Sequence, residues 1–179
     1  RETGERKSAL LNITADTKTM ERRAKMLHDL GWEYAMIDVV TTGTSAVQHM
    51  REVCQDYGLA IHAHRAMHAA FDRNPKHGMT MMFIGKLMRL IGVDQIHVGT
   101  VVGKLVGGKH EVEDIEREIT AKILRGEKVR KSIHMIEQDW GKIKPTLPVS
   151  SGGVHPGLIP EILKFLGTEI GLLVSGGIH

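Results

Sequence analysis

A chain of 179 residues is long enough to bury a core, and 41% hydrophobic against 25% charged residues is the balance of an ordinary globular protein. A net charge of +3 and a pI near 9.0 raise nucleic acid as a partner. The basic residues, however, are interleaved with acids, as in Glu111-Val112-Glu113-Asp114-Ile115-Glu116-Arg117-Glu118, and no basic stripe or RNA-binding motif stands out, so that class is excluded, as is a membrane-spanning one for want of a long apolar run.

In chain order, residues 9–14 read as a strand, and Asp16 or Thr17 can cap a helix over 18–30 that Gly31 closes. A strand over 34–40, a helix over 45–57 ended by Gly58, and a strand over 59–65 follow. The single cysteine, Cys54, lies in that second helix and admits no internal disulfide, so a reducing, cytoplasmic setting is expected. After a polar loop through 74–78, residues 79–91 show helical periodicity, with Phe83, Ile84, Leu87, Met88 and Ile91 on one face. Gly92 ends that helix and 95–99 is a strand. Glycines 99, 103, 107 and 108 space out a loop, a helix runs over 111–124, and 126–144 suggests only a short strand near 133–136. Strand 146–150, helix 157–166 and strand 170–174 complete the order. A repeated strand-then-helix order predicts an α/β fold with a parallel sheet in one domain, whose ligands sit beyond the carboxyl ends of the strands.

Those strand ends suit an anionic, phosphorylated small molecule. In Ile61-His62-Ala63-His64-Arg65, His62 and His64 share a strand face because side chains alternate. Arg65 offers a fork that donates two hydrogen bonds to a phosphate or carboxylate, and His68 lies just beyond. A zinc site is the rival reading, but cysteine pairs, a His-Glu-x-x-His pattern and a nearby acidic ligand are all lacking. His97 occupies the equivalent end of the next strand. Lys104 sits in the glycine-spaced loop, where it is either a solvated lysine or a charge that a closing lid carries over a substrate. Ser150-Ser151-Gly152-Gly153 and Ser175-Gly176-Gly177 both follow strands, and glycines there let backbone N–H groups approach an anion.

The segments IHAHRAMHAAFDRNPKHGM, GVDQIHVGTVVGKL and LPVSSGGVHPGL, in this order, resemble the large subunit of ribulose bisphosphate carboxylase/oxygenase (RuBisCO). The likeness runs from LLNITA to SGGIH, and only about residues 110–144 align poorly; YAMIDVVTTGTSAVQHMREV and GLAIHAHRAMHAAF look like the archaeal type III branch. The resemblance implies a TIM (β/α)8 barrel, here a partial one covering about the third to eighth strands. Residues 1–179 would then belong to the catalytic barrel domain, with the N-terminal domain and first two barrel strands expected to precede Arg1. An open sheet of six strands where a barrel closes with eight would leave two edges, an aggregation hazard unless they are covered.

The resemblance also implies roles. His64 and Lys104 are the catalytic candidates, the first assisting proton transfer and the second a lid lysine stabilising the carboxylate formed from CO2. Arg65 and His97, helped by His68, would grip one phosphate of ribulose 1,5-bisphosphate. Ser151 would hydrogen-bond the sugar, and Gly152, Gly153, Gly176 and Gly177 would offer backbone donors to the other phosphate. Magnesium is the implied cofactor, its acidic ligands and carbamylated lysine expected upstream of Arg1, so no metal ligand is expected in this chain. CO2 and O2 are the implied co-substrates, a homodimer or larger homo-oligomer the implied assembly, and nucleotide and pentose salvage the implied setting. Two positions depart from the family: Ser175 stands where a glycine is usual, and Val106 where an acidic residue is common. The alternatives are a RuBisCO-like enolase or isomerase acting on a sulfur-containing sugar phosphate in methionine salvage, and a fragment that binds phosphosugars without turnover.

Overall fold

The structure, a computed structural model, describes residues 3–5, 7–74, 76–102, 109–132 and 135–174. Its contacts fall into two compact units, Arg1–Met67 and His68–His179.

The first unit opens with β1 (Leu11–Asn12) and α1 (Thr17–Asp29), followed by β2 (Tyr34–Asp38), the short α2 (Val39–Thr42), α3 (Thr44–Asp56) and β3 (Ala60–His64). Asp16 caps α1, its carboxylate accepting from the Thr19 amide at 3.1 Å, and hydrogen bonding from the Thr19 side chain and then its amide holds the carboxyl below its ordinary value. Met20, Ala24 and Leu27 recur on one face of α1, and Val47, Met50 and Cys54 on one face of α3; all six are fully buried, and the two helices pack together. Each such large apolar side chain removed from water contributes about 1.5–3 kcal/mol, which is why the helical period, not local propensity, decides these elements. The three strands run parallel, β1 beside β2 and β2 beside β3. The strand expected over 34–40 stops at Asp38, where the chain turns directly into α2.

The second unit contains α4 (Ala69–Asp72), α5 (Met81–Ile91), β4 (Gln95–Gly99), α6 (Lys109–Thr120), β5 (Ile123–Leu124), α7 (Glu127–Lys131), β6 (Gln138–Asp139), β7 (Leu147–Ser151), a 3-10 turn (Pro156–Leu158), α8 (Ile159–Leu166) and β8 (Gly171–Leu173). Strands β4, β7 and β8 are parallel neighbours, and α5 packs against α6. The helix expected over 111–124 ends at Thr120. Ile123 and Leu124 instead pair antiparallel with Asp139 and Gln138, a small second sheet that the helical pattern concealed. Of the short strand expected near 133–136, residues 133 and 134 lie outside the described residues and Met135 and Ile136 belong to no strand.

Beneath that small sheet sits a buried cation. Arg89 of α5 is 1% exposed; its Nη1 donates to the carbonyls of Glu118 and Ala121 at 2.8 Å each, and its Nε to that of Lys144 at 3.2 Å. The guanidinium stacks 4.1 Å from the Trp140 ring centroid, and Lys86 Nζ lies 2.9 Å from the buried Glu118 carboxylate. Burial pushes the Arg89 guanidinium below its ordinary value, and the Glu118 charge opposes that shift.

Candidate active site at the strand ends

In the first unit the register sets Asp38, the last residue of β2, directly beside His64, the last residue of β3. Asp38 Oδ1 lies 2.6 Å from His64 Nδ1. The other carboxylate oxygen accepts from Asn12 Nδ2 of β1 at 3.3 Å, and the Asp38 amide donates to Thr14 Oγ1 at 2.8 Å. Thr41 and Thr42 of α2 both donate their hydroxyls to the Asp38 carbonyl. Three consecutive strands therefore contribute to one hydrogen-bonded web at their carboxyl ends. The opposite face of β2 and β3, with Ala35, Ile37, Ile61 and Ala63, is buried. His62, on the His64 side, is also buried. Arg65 follows His64 and is half-buried. Two residues further on, Met67 adopts φ +67°, the left-handed region that costs a side-chain-bearing residue roughly 1–2 kcal/mol and that tends to mark functional turns.

In the second unit His97 Nδ1 and Ser151 Oγ are 3.0 Å apart, which ties the end of β4 to the end of β7. The pairing between these strands slips: His97 is opposite Val149 but Gly99 is opposite Ser150, so Val98 is the extra residue of a bulge. A bulge bends its strand and re-aims neighbouring side chains, and such irregularities gather beside active sites. His97 is buried and Ser151 half-buried. Gly152 and Gly153 follow with φ of +108° and +67°, and a Cβ at either would meet no atom within 4 Å. What demands glycine there is backbone conformation alone. His68 stands at the N-cap position of α4 without a side-chain capping bond, and its Nδ1 bonds instead to the Asp72 carboxylate one turn later.

Lys104, Gly176 and Gly177 lie outside the described residues, as do Val106 and Ser175. Among the described residues, no group of three or more His, Cys, Asp or Glu side chains could hold a metal ion, and no helix is long and apolar enough to cross a membrane. Sequence reasoning missed Asn12, Asp38 and Asp72. Asp38 had a signal: a lone acid closing the apolar strand Tyr34–Asp38 is costly unless a partner waits there.

A family model for the ribulose bisphosphate carboxylase large chain, catalytic domain, matches residues 1–179. This chain belongs to the RuBisCO large-chain family. It is 51% identical to a ribulose bisphosphate carboxylase of Methanosarcina barkeri over 179 residues, which are 99% of this chain but 41% of that relative. A crystal structure of an archaeal RuBisCO superposes with a TM-score of 0.90 at 48% identity, covering 98% of this chain and 40% of the other. The dimeric archaeal RuBisCO of Hyperthermus butylicus gives 0.89 at 44% identity, covering 99% and 40%. The fold is thus α/β, part of the RuBisCO catalytic barrel, and the chain spans about two fifths of the length of these relatives.

Proposed function

We propose that this chain supplies the phosphate-gripping and proton-handling part of a ribulose-1,5-bisphosphate carboxylase/oxygenase of the archaeal salvage type, working as a homodimer or larger homo-oligomer. The observation that carries this reading is 51% identity across the whole chain to a relative named as that carboxylase. The strand-end geometry supports it, because His64, Arg65, His97 and Ser151 all fall at or beside the carboxyl ends of parallel strands, the face on which barrels carry their chemistry.

The reaction removes a proton from C3 of the bisphosphate to give an enediol, adds CO2 at C2, hydrates the resulting ketone and cleaves the C2–C3 bond, so that one sugar, one CO2 and one water become two molecules of 3-phosphoglycerate. With O2 in place of CO2 the same enediol is oxidised. His64 exchanges protons with the sugar hydroxyls. Arg65, His97 and His68 hold one phosphate, and the amides at Gly152-Gly153 and Gly176-Gly177 hold the other. Ser151 orients a sugar hydroxyl, and Lys104 sets its ammonium against the new carboxylate. Magnesium, when bound, would polarise the sugar oxygens; among the described residues no group of three or more His, Cys, Asp or Glu side chains could hold it.

The test is a chimera in which these 179 residues replace the matching segment of the M. barkeri relative, assayed with magnesium and bicarbonate for radiolabelled CO2 entering 3-phosphoglycerate. Incorporation that falls at least about a hundredfold in Lys104→Ala would support both the activity and the lid role. A folded chimera with no incorporation would overturn the reading and send the search to sulfur-containing sugar phosphates.

A further inference from the structure

The geometry points to Asp38 as a positioning residue that fixes the ring orientation and tautomer of His64, with Asn12 and Thr14 holding Asp38 in place. This role rests on the carboxylase reading and adds a residue to it. A carboxylate can only accept hydrogen bonds, so at 2.6 Å from Asp38 Oδ1 the His64 Nδ1 must carry the proton. In the neutral ring the lone pair then lies on Nε2, the nitrogen that must take a proton from a substrate hydroxyl and return it. Without the carboxylate the two neutral tautomers are similar in energy, and the wrong one presents an N–H where a base is needed.

Asp38 is built for that task. Its side chain is 18% exposed against 37% for His64, so it stands behind the ring, away from solvent. Its second oxygen is tied to Asn12 Nδ2, and Asn12 is itself held because its Oδ1 accepts from the Thr14 amide at 2.9 Å. The Asp38 amide is pinned on Thr14 Oγ1, and α2 begins at the next residue, so main chain and side chain are both fixed. A carboxylate needed only to end a strand could face water; this one spends both oxygens inside the web. A half-buried carboxylate with a partner on each oxygen holds its neighbour to one geometry, although Asn12 itself is exposed.

The experiment is a double-mutant cycle in the full-length chimera. Asp38→Asn keeps the shape, and its amide can donate to Nδ1, which favours the wrong tautomer. We expect kcat to fall about a hundredfold while KM for ribulose 1,5-bisphosphate stays within about threefold. In the His64→Ala background the same substitution should lower kcat by less than about twofold, because nothing remains to be positioned. If Asp38→Asn does not fold, Asn12→Ala, which removes the bond to the second Asp38 oxygen and the one to the Thr14 amide, carries the same cycle. A kcat that hardly changes, or a fall as large without His64 as with it, would overturn the role. An unmutated chimera without turnover would overturn the carboxylase reading and this role with it, whereas an active chimera indifferent to Asp38 overturns this role alone.

Discussion

Gly78 shows how narrowly one residue can fix a site. Its φ is +140°, and an added Cβ would sit 1.8 Å from the Phe71 carbonyl oxygen, a backbone atom that cannot swing aside. That carbonyl accepts from the Met79 amide at 2.9 Å, which closes the loop after α4, and the next residue, Asp72, orients His68. Gly78→Ala should therefore push α4 and loosen His68. We expect KM for ribulose 1,5-bisphosphate in the chimera to rise about tenfold, worth about 1.4 kcal/mol, with kcat changed less than threefold. An unaltered KM would show that the loop yields at no cost to the phosphate grip. At this scale the sequence was legible where a residue's chemistry is intrinsic. Arg65 beside two histidines reads as an anion grip whatever surrounds it. Asp38 was not legible as His64's partner, because the two are 26 residues apart and meet only through the β2–β3 register.

Strands and helices were legible where burial follows one period. Helices α1 and α3 fall within one residue of the bounds read from their pattern, whereas in α5 the face read over 79–91 is only partly the buried one: Ile84 and Met88 are buried with Met81, Met82 and Gly85, and Phe83 is exposed. The end of α6 does not follow from local pattern, because Ile123 and Leu124 continue its apolar period yet are drawn into pairing with Gln138 and Asp139, and the Trp140 amide donates to the Lys122 carbonyl. Arg89 fastens this region by taking up the carbonyls of Glu118, Ala121 and Lys144. Replacing a buried charge with an apolar residue can be neutral when its partners leave too, but here the partners are main-chain carbonyls and must stay. Arg89→Met should cost about 3 kcal/mol, roughly one for each acceptor left without its donor. That corresponds to a melting temperature lower by several degrees, with Arg89→Lys intermediate because it keeps the charge and loses the fork. Calorimetry on the chimera checks it, and a shift under about one degree would show that the carbonyls find other donors.

For the whole molecule, the decisive feature is where apolar surface meets unpaired backbone. Strand β1 pairs with β2 and strand β8 with β7, and among the described residues neither has a strand on its other side. Both carry exposed leucines: Leu11 is 41% exposed in β1, with Leu10 just before it at 36%, and Leu172 and Leu173 are 36% and 38% exposed in β8. An edge that combines free N–H and C=O groups with apolar side chains is a template for pairing, and neither β1 nor β8 bears a lysine or proline to blunt it. Short strands limit each contact, but two such edges on one chain allow association that does not close. Expressed as these 179 residues alone, the chain should therefore run on size exclusion with light scattering as a concentration-dependent mixture above the 19.8 kDa monomer. Leu11→Lys together with Leu172→Lys should raise the monomer fraction, since a charge on each edge opposes both pairing and burial. In the chimera the same two substitutions should instead destabilise, because there the segments that flank them in the RuBisCO chain would cover both edges. A wild-type chain that is monodisperse and melts in one cooperative step would show that these edges are protected within the 179 residues themselves.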